Sequence, residues 1–181
     1  MPDILSAATL AQIVGFAGTL AGVAWALFRG RVAMLTVQLA ASTLFALHFA
    51  LLGAPTGSLM NVLATVQAAA AIPLGTRPGF RYVYLAVLPL IAAGLAATWH
   101  GLPSAFAAAG LAFVSLGRYQ TDVRLFRLFM ALALPCWFGH NLLVMSVPGM
   151  LSDAAAMTVN AVMLARLVRP GRAAVGASGR A

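Results

Sequence analysis

Predominantly apolar stretches of about twenty residues follow one another through most of the chain, parted by short turns rich in Gly and Pro. A helix needs about 20 apolar residues to cross the hydrocarbon core of a bilayer, where every backbone N–H and C=O must be satisfied within the segment. The runs cover 8–28, 32–53, 57–75, 80–99, 103–117, 122–145 and 150–168. The fifth is the shortest, about 15 residues or ~22 Å against a core of ~30 Å. Seven such spans consume about 140 residues of the 181 and leave no room for a soluble domain. With 62% hydrophobic and 8% charged residues, the chain departs from soluble domains, which are about 25% charged. The expectation is an all-α integral membrane protein with lipid as its solvent. A single cysteine, Cys136, rules out a disulfide framework and any CxxC motif.

The net charge of +8 would ordinarily suggest nucleic acid, but its distribution argues otherwise. All eleven basic residues are arginines, and they cluster between spans instead of forming a stripe. Arg29 and Arg31 occupy the first loop, Arg77 and Arg81 the third, and Arg118, Arg124 and Arg127 the region of the fifth. Arg166, Arg169, Arg172 and Arg180 follow at the end. The second, fourth and sixth loops carry none. An odd number of spans puts every arginine on one face, which the positive-inside rule makes cytoplasmic. The N-terminus is then outside and the C-terminus cytoplasmic. The arginine pair follows the first apolar stretch, the reverse of a cleaved signal peptide.

Shifting the sequence by 92 residues aligns it with itself. Arg77-Pro78-Gly79 falls on Arg169-Pro170-Gly171, His48 on His140, Gly57 on Gly149, Asn61 on Asp153 and Phe45 on Trp137. The reading is a 3+1+3 plan: a three-helix repeat at 8–76, a linker helix at 80–99, a second three-helix repeat at 103–168, and a mobile cytoplasmic tail at 169–181. Both repeats start outside and end inside, so they are parallel. Parallel repeats related by an axis along the membrane normal are a transporter architecture, with the site where the repeats meet.

The stretch from Leu47-His48-Phe49-Ala50-Leu51-Leu52-Gly53-Ala54 to Met60-Asn61 resembles the bacterial inner membrane protein YgjV family. So does Cys136-Trp137-Phe138-Gly139-His140-Asn141 with Asn160 downstream. The resemblance runs from about Gln12 to Arg169 and implies a multi-pass protein of the bacterial inner membrane, with no stated chemistry. The helix plan is also similar to that of the SWEET and PnuC transporters, in topology alone.

The polar residues within the spans are the candidate site. His48 lies about 7–8 Å inside the outer end of its helix, and Asn61, His140 and Asp153 fall at matching depth. Ionisable groups there face the bundle or a wet cavity. Asn141 adds an amide, Asn160 continues the polar stripe of the last helix, and Phe45 and Trp137 supply aromatic walls. Together they suit a small polar solute, and Asp153 offers a titratable group for proton coupling. In a competing reading His48 and His140 ligate a haem iron or another metal. In a third, the polar residues tie helices together through a His48–Asn61 bond and a His140–Asp153 ion pair, as in a structural or accessory membrane protein. With no HExxH, GxSxG or phosphate-binding loop, the chain is expected not to be an enzyme, and the transporter reading requires no cofactor.

Overall fold

The computed structural model describes residues 2–24, 28 and 30–168, the backbone alone for 2–7 and 168. Arg29 and the tail at 169–181, with its Arg-Pro-Gly triplet, lie outside the described residues. The described chain is helical: α1 (Pro2–Ala24), α2 (Arg31–Leu51), α3 (Pro55–Leu74), α4 (Tyr82–Ala86), α5 (Leu88–Ala97), α6 (Leu102–Tyr119), α7 (Val123–Leu143) and α8 (Val147–Val168). Within it, three segments are long and apolar enough to cross a membrane on their own terms: Arg31–Leu51, Pro55–Leu74 and Val147–Leu167.

Prolines explain where these helices begin and break. Pro55, Pro103 and Pro148 stand in the first turns of α3, α6 and α8, where a missing N–H costs nothing and φ is already set. For this reason α3 and α8 begin inside segments that read as turns. The fourth apolar run is not one helix. It breaks at Val87 into α4 and α5, because Pro89 has no N–H for the carbonyl of Leu85 and its ring crowds that oxygen. Pro135 stands within α7, which stays helical from Val123 to Leu143.

The helices pack in two matching series. α2 lies between α1 and α3, α7 lies between α6 and α8, and the series meet along α1–α8 and α3–α6. α5 covers the α3–α6 side, where Met60, Val87, Ile91 and Leu111 form an apolar cluster. The side chains are distributed as a lipid solvent demands. Leu10, Leu20, Leu47, Val66, Leu90 and Leu132 face outward, while His48, Thr56, Gln67, Ser115, His140 and Asn141 are buried. In water this arrangement would be inverted. In lipid it keeps polar groups inside the bundle, where most find partners, and leaves the helix surface apolar.

The turns after α2 and α7 share one hydrogen-bond pattern. Leu52 N–H donates to His48 O, Gly53 to Ala50 O, Ala54 to Phe49 O and Ser58 to Ala54 O. Ninety-two residues on, Val144 donates to His140 O, Met145 to Leu142 O, Ser146 to Asn141 O and Met150 to Ser146 O. Both turns pass through a left-handed residue, Gly53 at φ 69° and Met145 at φ 55°. Each closes the C-terminus of its helix by catching its last carbonyls.

At the opposite end of the bundle the arginines join neighbouring helices. Arg31 donates to the carbonyls of Ala71 and Ile72, closing α3. Arg118 donates to Gln67 Oε1 at 2.8 Å, and Gln67 donates in turn to Ser115 Oγ at 2.9 Å.

Candidate functional site

The two histidines sit behind the site as struts. His48 Nδ1 lies 2.7 Å from the carbonyl of Ala11, and His140 Nδ1 lies 2.9 Å from that of Pro103. Both contacts span 37 residues, and each ties the second helix of a series to the first. A carbonyl only accepts, so each neutral ring donates through Nδ1–H and keeps its lone pair on Nε2. His48 Nε2 accepts from Ser146 Oγ at 2.8 Å. His140 Nε2 is buried with no hydrogen-bond partner. It rests over Gly57, where a Cβ would come within 2.3 Å of it. The difference between the rings follows from sequence: Ala54, which has no hydroxyl, holds the position that matches Ser146.

This geometry corrects two expectations. The His48–Asn61 bond and the His140–Asp153 ion pair do not form, because both rings are turned to the preceding helix of their own series. Asn61 Nδ2 donates instead to Gly57 O at 3.0 Å, and Asp153 Oδ2 accepts from Asn141 Nδ2 at 2.7 Å. Nor are the histidines arranged as a haem or metal pair. His48 has both ring nitrogens engaged, and Phe49 packs against both imidazoles, at 5.2 and 4.9 Å between centroids. Among the described residues no group of three or more His, Cys, Asp or Glu side chains gathers as a metal site.

In front of the histidines is a partly open cavity of about 160 Å³ between α2, α3, α7 and α8. Its walls carry three pairs of residues spaced by 92: Phe45 and Trp137, Phe49 and Asn141, Asn61 and Asp153. Gly149 and Ser152 complete the lining. The rings of Phe45, Phe49 and Trp137 form a column, Phe49 stacked on Phe45 at 5.9 Å and on Trp137 at 6.4 Å. Gly149 is required by Asn141, whose amide fills the space a side chain at 149 would take, with Oδ1 within 2.3 Å of such a Cβ. The volume exceeds the ~10–15 Å³ one water needs and falls below the ~300 Å³ of drug-sized pockets. It suits several waters or one small solute.

Of the residues singled out in the sequence, the fold therefore brings Phe45, Asn61, Trp137, Asn141 and Asp153 to one cavity. It sets His48 and His140 behind its wall. Asn160 stands apart, two turns from Asp153 toward the arginine end, where its Nδ2 donates to Arg127 O at 3.1 Å. Phe49, Gly149 and Ser152 were not foreseen. The 92-residue spacing held the signal for Phe49, since it pairs that residue with Asn141.

A bundle of apolar helices that turns its polar groups inward and its leucines outward is a helical integral membrane protein. This chain belongs to the Imp-YgjV family, bacterial inner membrane proteins, whose model it matches over residues 9–170. No curated protein and no solved structure matches it.

Proposed function

We propose that the chain is a carrier of small polar solutes, not an enzyme. In this reading seven spans form two parallel three-helix repeats, α1–α3 and α6–α8, joined by α4–α5. The cavity is the solute site, and the repeats rock about it. One observation carries the proposal: the cavity lies between the two series and is walled by residue pairs at a single 92-residue spacing. The shared hydrogen bonds of the two turns, and the equivalent anchoring of His48 and His140, support the same symmetry. Parallel repeats with a site at their interface are a known basis of alternating access. By the positive-inside rule the arginine end faces the cytoplasm, so α1 begins outside and α8 ends inside.

Asp153 is the titratable group of this reading. Among the described residues it makes no ion pair, and it accepts a hydrogen bond from the neutral amide of Asn141. A carboxyl in such a place is where a proton or a solute can exchange. The test is uptake by proteoliposomes holding the full chain, screened with small labelled solutes under an imposed proton gradient. Saturable uptake that Asp153→Asn abolishes, with the protein still folded and inserted, is expected. Uptake no faster than in empty vesicles across the screen rejects the carrier. If Asp153→Asn lowers thermal stability and leaves uptake intact, the carboxylate serves helix packing instead.

A further inference from the structure

We infer that the cavity binds a small organic cation. This rests on the solute-site reading and names its substrate class. The argument is an inventory of donors and acceptors. A backbone carbonyl can only accept, so the bond from Nδ2 to Gly57 O fixes which way the Asn61 amide points, and the bond from Asn141 Nδ2 to Asp153 Oδ2 does the same when the carboxyl is ionised. Each amide nitrogen gives one of its two N–H donors to the protein, and each amide oxygen keeps its acceptor capacity. Asn141 is 3% exposed, and its Oδ1 is buried without a partner.

The remaining lining points the same way. The indole nitrogen of Trp137 is turned out of the cavity, against the bare Cα of Gly110 on α6. The walls hold no Arg or histidine, and among the described residues Asp153 has no cationic partner. What the cavity offers is a carboxyl, the amide of Asn61, a serine hydroxyl and three aromatic rings, while the Asn141 oxygen is packed over Gly149. A carboxyl with no cationic partner selects against anions, and a bound cation would favour its charged form. Aromatic faces attract a desolvated cation through their quadrupoles. A calcium or magnesium ion needs six or more oxygen ligands and gains little from a wall of rings. An alkylammonium or similar cation uses both sets of groups at once, and a volume of about 160 Å³ limits it to a small one.

The experiment is a binding titration on the full chain in detergent, read by tryptophan fluorescence and by thermal unfolding. The probes are tetramethylammonium, choline and 3,3-dimethylbutanol, the uncharged isostere of choline. Saturable binding of at least one cation is expected, with the isostere weaker by about tenfold or more. Asp153→Asn and Trp137→Leu should each weaken the cation by a similar factor, whereas Trp137→Phe, which keeps a ring, should hold most of it. Trp137→Leu keeps the test valid if Asp153→Asn does not fold. Equal affinity for choline and its isostere overturns the inference. So does binding of sodium or potassium in preference to the organic cations, or no cation binding at all. Failure here is distinct from failure of the carrier. Cation binding without uptake sinks transport and leaves the site, and uptake of a neutral solute indifferent to Asp153→Asn sinks the cation and leaves transport.

Discussion

Met145 shows how much a single residue can tell. It holds the left-handed position of the turn after α7, at φ 55°, with its side chain 69% exposed. Gly53 holds the matching position after α2 without strain, because it has no Cβ to meet the following carbonyl. Met145→Gly should therefore raise stability by about 0.5–1 kcal/mol, since little packing is lost with an exposed side chain. Thermal unfolding in detergent checks it, and a lower midpoint would mean that Met145 is held by contacts beyond its turn. Gly57 makes the opposite case. Gly57→Ala drives a methyl into the buried ring of His140, itself wedged between Phe49 and Trp137. A loss of about 1–3 kcal/mol is expected in the same measurement. An unchanged midpoint would show that the ring has somewhere to go. The type of these residues was legible in the sequence, but the consequence was not. His48 and His140 read as equivalent, and only the fold reveals that Ser146 meets Nε2 of one ring while that of the other has no partner.

Helices supply the next scale. The apolar runs marked the elements because lipid demands length and low charge, and that demand is written one residue at a time. Boundaries followed less well where proline acts. A proline can start a helix or break one, depending on whether its neighbours are already helical. Pro55 and Pro148 open α3 and α8, while Pro89 divides what reads as a single span. Arg31 adds a contact that sequence could not disclose. Its guanidinium reaches α3 from the start of α2, 40 residues away, and donates to two carbonyls at the end of that helix. Positive charge suits a helix C-terminus, where the dipole is negative. Arg31→Ala should cost about 0.5–1.5 kcal/mol. Arg31→Lys should recover little of this, since an ammonium cannot fork between two acceptors as a guanidinium does. Full rescue by lysine would reduce the contact to simple charge.

For the molecule as a whole, the arginine distribution makes a claim about orientation. The turn at 144–146 should face outward and the loop at 120–122 the cytoplasm. In a Cys136→Ser background, Met145→Cys should react with an impermeant maleimide in intact cells, and Thr121→Cys only after the membrane is opened. Both positions are exposed, so access depends on the side of the membrane and not on burial. Labelling of Thr121→Cys in intact cells would overturn the seven-span orientation.

Class, membrane location and family were present in the sequence alone. They depend on local quantities: the length of an apolar run, the residues at its ends, and short motifs in order. The cavity depended on more. Phe45, Asn61, Trp137, Asn141 and Asp153 could be named as polar or aromatic residues at one depth, because depth follows from counting along a helix. Whether they meet depends on how each helix is rotated about its axis, and in lipid that rotation is set by close packing of small residues and not by hydrophobic burial. Gly57 and Gly149 decide it here. They admit the His140 ring and the Asn141 amide, which places the imidazole behind the wall and leaves Asn61 and the Asp153 carboxyl on the cavity lining.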